Sequence, residues 1–85
     1  MDDFKEFEQI KQNTTLDMLP SICEVMEKDF AAVIGVSKTH WYSMKTGRMP
    51  VTPARQALFD ALIWMYYREH SMLLDWVDYR LSSQA

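Results

Sequence analysis

Between Asp29 and Pro50 the chain reads DFAAVIGVSKTHWYSMKTGRMP, and no other stretch restricts the fold as strongly. Ala31 is a small residue of the kind two closely crossing helices require, and Gly35, four positions later, suits a sharp turn because it lacks a Cβ. Ser37 is placed to cap a helix over Lys38 to Thr46, in which Trp41 and Met44, three apart, point to one side. Gly47 ends that helix, and Arg48-Met49-Pro50 carries the chain away. The pattern predicts helix, tight turn, helix.

Around this stretch the signals are also helical. Asp2 to Gln12 places Phe4, Phe7 and Ile10 at helical spacing with acids at its start, where they suit the helix dipole. Asn13-Thr14-Thr15 reads as a break, after which Asp17 is placed to cap a new helix with Pro20 in its first turn. Leu19, Ile22, Cys23, Met26, Phe30, Val33 and Ile34 then follow helical periodicity and form a core face. Either one helix runs from about Asp17 to Ile34 or two meet near residues 26–28, because no glycine or proline marks a joint.

Thr52-Pro53 is a start signal, an N-cap followed by proline at the first helical position. The helix it opens runs to about Glu69, and between Ala57 and Tyr67 only Asp60 is charged, so burial on more than one side is expected. His70-Ser71 interrupts, and a last helix carries Leu73, Leu74, Trp76, Val77, Tyr79 and Leu81 before fraying over Ser82 to Ala85. With no strand signal and no repeat, the expected fold is all-α, a small bundle of four to five helices in a single domain over residues 1–85.

At 85 residues a single core gives modest stability unless something else, often a second subunit, contributes. Hydrophobic residues make up 48% and aromatics 13%, which argues against disorder and for a filled core or an interface. The single cysteine, Cys23, permits no intrachain disulfide and is expected as a buried, inert thiol in a reducing compartment. His40 and His70 are too isolated in sequence to suggest a metal. Acids at Asp2-Asp3 do not fit a signal peptide, and the apolar run from Ala61 to Tyr67 is far below the roughly 18 residues of a membrane span. A soluble, cytoplasmic chain with no cofactor is expected.

The net charge of minus 3 conceals a segregation. Residues 1–29 sum to minus 5 and residues 60–85 to minus 2, whereas Phe30 to Phe59 holds Lys38, Lys45, Arg48 and Arg55 and no acid. A basic island that coincides with the helix-turn-helix stretch is the electrostatic footprint of a phosphate-facing surface.

Residues 27–59 resemble the helix-turn-helix of Cro/CI-type phage repressors and the wider Xre-like regulators, the lambda-repressor-like group. The similarity is carried by Phe30-Ala31, Gly35-Val36-Ser37, Trp41, Met44, Gly47, Arg48-Met49-Pro50 and Thr52-Pro53-Ala54-Arg55. It implies a motif over about 27–47 whose second helix lies in the major groove of double-stranded DNA. By position, Lys38, Thr39 and Ser43 would read bases, with His40 and Tyr42 flanking them. Lys45, Thr46, Arg48 and Arg55 would grip phosphates and fix the register.

A sequence-specific transcription regulator, acting as a dimer on an inverted repeat, is thus the first functional expectation. The C-terminal helices, about 53–81, would supply both core and dimer interface, with Trp64, Tyr67, Leu73, Trp76 and Val77 as the contact set. The alternative is a protein-binding module on the same scaffold that modulates a host or regulatory protein. Overall acidity, the aromatic excess and Glu27, a carboxylate at the start of the first motif helix with only Lys28 beside it in sequence, favour that alternative. An enzyme is not expected, since no nucleophile stands near a base at a recognisable spacing and no glycine loop or metal cluster is present.

Overall fold

The computed structural model describes residues 2–83, and among these the chain is all-helical. Six α-helices follow one another: α1 (Asp2–Gln12), α2 (Leu19–Ile22), α3 (Glu27–Ile34), α4 (Lys38–Lys45), α5 (Pro53–Arg68) and α6 (His70–Ser82), with a 3-10 turn over Leu16–Met18. That is more helices than the four to five expected. Of the two alternatives over Asp17 to Ile34, the structure has two helices, α2 and α3, with the joint at residues 23–26; the capping of the first is what needs correction.

Asp17 does not cap α2. It lies inside the 3-10 turn, where the Thr15 hydroxyl donates to its carboxylate, and Met18 precedes α2 without a side-chain cap. α2 is closed after a single turn by Val25 N–H donating to the Pro20 carbonyl at 3.0 Å and Glu24 N–H to the Ser21 carbonyl at 3.0 Å. This closure puts Glu24 at φ +58°, the left-handed region where glycine is usual. A glutamate there gives no sequence signal, so periodicity runs on through a joint the backbone breaks. Met26 becomes the residue before α3 and leaves the core face on which its spacing placed it; it is 67% exposed.

The core is built from Leu19, Ile22, Cys23, Phe30, Ala31, Val33, Ile34, Trp41, Met44, Phe59, Leu62, Ile63, Leu73 and Val77. Fully burying an aliphatic or aromatic side chain of this size stabilises by about 1.5–3 kcal/mol. α5 meets α1, α2 and α6, so much of its apolar surface is covered within the chain, while Ala57, Ala61 and Tyr66 stay exposed. Trp64 takes the edge of Phe7 at 5.0 Å between ring centroids, and Phe4 lies at 6.0 Å. Arg68–Asp3 (3.0 Å) and Lys11–Asp60 (3.7 Å) tie the same pair of helices at their margins.

This packing corrects the expected dimer contact set. Leu73 and Val77 are core residues with almost no surface, so they have none to offer a partner. Trp64, Tyr67 and Trp76 are half-buried, Trp64 under α1, and on α6 the exposed large apolar residues are Met72 and Tyr79, 56% and 64% exposed. Glu69, at φ −143° and ψ 62°, makes the break between α5 and α6 one residue before the expected His70-Ser71. α6 continues to Ser82; of the expected fraying segment, Gln84 and Ala85 lie outside the described residues. No helix among the described residues is long and apolar enough to cross a membrane.

Candidate nucleic-acid interface

Local chemistry sets both ends of α4. The Ser37 hydroxyl accepts from the His40 N–H at 3.0 Å, as an N-cap should. At the other end Gly47 takes φ +82° and the Met49 N–H returns to the Ser43 carbonyl at 3.1 Å. Between them Trp41 and Met44 are buried, and the Trp41 ring lies edge-on to Phe30 (4.8 Å) and Phe59 (6.2 Å). Two aromatic contacts from α3 and α5 thus fix the rotation of α4 about its own axis. The remaining positions face outward.

Three of the last four carbonyls of α3 take partners that fix the turn preceding α4. Val36 N–H donates to the Ala31 carbonyl at 3.0 Å and Gly35 N–H to the Ala32 carbonyl at 3.1 Å, with Gly35 at φ +77°. The Val33 carbonyl receives the Arg80 Nε–H at 2.7 Å. An arginine from α6, 47 residues away in sequence, therefore caps one carbonyl at the C-terminus of α3. Nothing in the sequence distinguishes Arg80 from an ordinary surface base.

The outward side of α4 borders two clefts. Thr39, Tyr42, Ser43, Thr46 and Arg48 line a shallow one of about 270 Å³. Lys38 and Tyr42 line a second, of about 490 Å³, with Asp17, Pro20, Ser21, Val25, Met26, Glu27 and Lys28. Tyr42 belongs to both and stands between them. Of the nine candidate DNA contacts, Lys38, Thr39, Tyr42, Ser43, Thr46 and Arg48 are thereby gathered on one side of the molecule, whereas His40, Lys45 and Arg55 line neither cleft. Arg55 sits in the first turn of α5, where its N–H donates to the Thr52 hydroxyl at 3.3 Å.

Two candidates are engaged elsewhere. The Thr46 hydroxyl donates its one hydrogen to the Tyr42 carbonyl at 2.8 Å, which leaves it no donor for a phosphate oxygen in this conformation. Lys45 is ion-paired with Glu27 of α3, and its ammonium lies 4.6 Å from the centre of the Tyr42 ring. Hydrogen bonding from Lys45 and then from the Tyr42 hydroxyl holds the Glu27 carboxyl below the usual carboxylate range. The same carboxylate raises Tyr42 and Lys45 above their ordinary values. The partner of Glu27 is thus Lys45, 18 residues on, and not its neighbour Lys28. With Lys45 neutralised, Lys38, Arg48 and Arg55 remain of the four bases in the island.

No family model, no curated protein and no solved structure matches this chain.

Proposed function

We propose that the protein is a sequence-specific, double-stranded-DNA-binding regulator in which α3, the Gly35 turn and α4 act as a lambda-repressor-like helix-turn-helix of the Cro/CI type, with α4 entering the major groove. The observation that carries this reading is the outward side of α4. It gathers an ammonium (Lys38), two hydroxyl side chains (Thr39 and Ser43), a phenol (Tyr42) and a guanidinium (Arg48) on a helix whose rotation is set by Trp41 and Met44. Hydroxyls and a lysine suit base edges, and the arginine just beyond the helix suits a phosphate.

Selection of bound fragments from a random DNA pool, followed by titration at several salt concentrations, tests this. With Lys38, Arg48 and Arg55 on phosphates or bases, the log of affinity should fall with the log of salt at a slope of about −2.7 per chain. Replacing Lys38 and Arg48 together by alanine should abolish binding while leaving helix content intact, because both are exposed. No enriched fragment, or an affinity indifferent to salt, would refute the reading.

A second reading, a protein-binding module on this scaffold, is favoured by an α6 row of the exposed Met72 and Tyr79 with the half-buried Trp76 between them. Association of two copies through the same row would instead supply the two-fold pair that an inverted repeat requires. The mass of the free protein separates these uses. A dimer lost on Tyr79→Ala supports the two-fold pair, and a monomer that binds no DNA supports the module.

A further inference from the structure

Lys45 is the one base of the island that the fold has already committed. Its ammonium has the Glu27 carboxylate on one side and the Tyr42 ring on another, and its side chain is only 20% exposed. For Lys45 to turn to a phosphate it would have to leave Glu27 unpaired, a bare carboxylate facing a polyanion. Glu27 itself comes from α3, whose first turn also carries Asp29, so the element beneath α4 presents acid at that end. Tyr42 is held in the same cluster and forms the wall between the two clefts.

We infer that Glu27 is a positioning residue that sets the strength and the register of DNA binding: it withholds Lys45 from the phosphate backbone and holds the Tyr42 ring upright as the central contact of the α4 face. The inference rests on the DNA-binding reading above. It assigns phosphate contact to Arg48 and Arg55 in place of Lys45, leaves Lys38 to the base edges, and makes Tyr42 a fixed wedge in the groove. The trio carries no net charge, since the ammonium cancels the carboxylate and the phenol stays protonated, so it adds shape at this point without an added charge.

Glu27→Gln keeps a side chain of the same size that can still accept from Tyr42, and it releases the ammonium. On a fragment enriched by the parent, this variant should bind roughly three- to tenfold tighter near 0.1 M salt, with a salt slope steeper by about 0.9, one further counterion released. Glu27→Gln with Lys45→Met should return both values to those of the parent. Glu8→Gln, an equal change of charge on α1 that leaves Lys11 paired with Asp60, should alter neither. Without any DNA, the phenol of Tyr42, followed by NMR, should titrate above 10.0 in the parent and move back down in Glu27→Gln.

A gain that disappears with Lys45→Met supports the inference, and the Tyr42 titration confirms the clamp independently. Binding by the parent with no gain in Glu27→Gln, or a gain that survives Lys45→Met, overturns the inference and leaves the DNA reading standing. If no variant and no parent protein enriches any fragment, the DNA reading falls and this inference falls with it.

Discussion

Arg80 offers the sharpest test of how the α3 to α4 turn is held. Its Nε–H meets the Val33 carbonyl at 2.7 Å in a partly buried position, a carbonyl that Val36 and Gly35 leave free when they take those of Ala31 and Ala32. A hydrogen bond from a charged donor contributes about 1.5–3 kcal/mol, and a cation near a helix C-terminus adds a few tenths more. Arg80→Met keeps most of the aliphatic stem and removes the donor and the charge, so a loss of about 1.5–2 kcal/mol is expected. For a domain of this size that lowers Tm by about 6–16 °C, given roughly 4–8 °C per kcal/mol. Urea unfolding followed by far-ultraviolet circular dichroism should show the midpoint shifted and the slope unchanged. Arg48→Met, an exposed arginine with no protein partner among the described residues, is the control and should stay within about 0.5 kcal/mol of the parent. A loss below 0.5 kcal/mol for Arg80→Met, or an equal loss for the control, would refute the role given to the Val33 contact.

Two further outcomes follow from neighbouring features. Gly35→Ala should destabilise by about 1–2 kcal/mol because φ is +77°, and by the same amount in the Arg80→Met background, since the added Cβ would lie an unstrained 3.5 Å from the Arg80 guanidinium; a smaller loss in that background would make the effect steric. Burial pushes the Cys23 thiol up from 9.0 to about 11, so at pH 8 its thiolate fraction, and hence its rate with a disulfide reagent, should be about a hundredfold below that of the unfolded chain. The sign for stability is that the folded state keeps its proton longer, so this contribution is complete below pH 9 and fades as pH rises towards 11, and folded protein that labels as fast as unfolded would refute the burial.

What could be read from the sequence is what short-range chemistry decides. Ser37 caps α4, Thr52 with Pro53 opens α5, and Gly35 and Gly47 take positive φ, each because one residue type suits one backbone position. Trp41 and Met44 were placed inward by their spacing and are buried. The same local logic failed at Glu24, where packing of α2 on α5 and of α3 on α4 and α6 overrides a glutamate's reluctance to be left-handed. It failed again at Leu73 and Val77, because spacing on an apolar helix tells which residues share a face and not whether that face meets its own chain or another.

The outward face of α4 was legible in which residues it carries and not in its electrostatics. Counting charges along residues 30–59 gives four bases and no acid, but the acid that matters enters from Glu27, just outside that window, through an ion pair spanning 18 residues. Arg80 acts on the same short helix from 47 residues away. α3 has only eight residues, too few to be stable alone in water, so its geometry depends on what holds its ends and its buried side. Its first residue is tied to α4 by Lys45, its last turn to α6 by Arg80, and its Phe30 ring lies against Trp41. The orientation of the α4 face is therefore a property of three contacts converging on α3, two of which no local sequence pattern announces. A substitution at Glu27 or Arg80 acts on what α4 presents even though neither residue lies on α4.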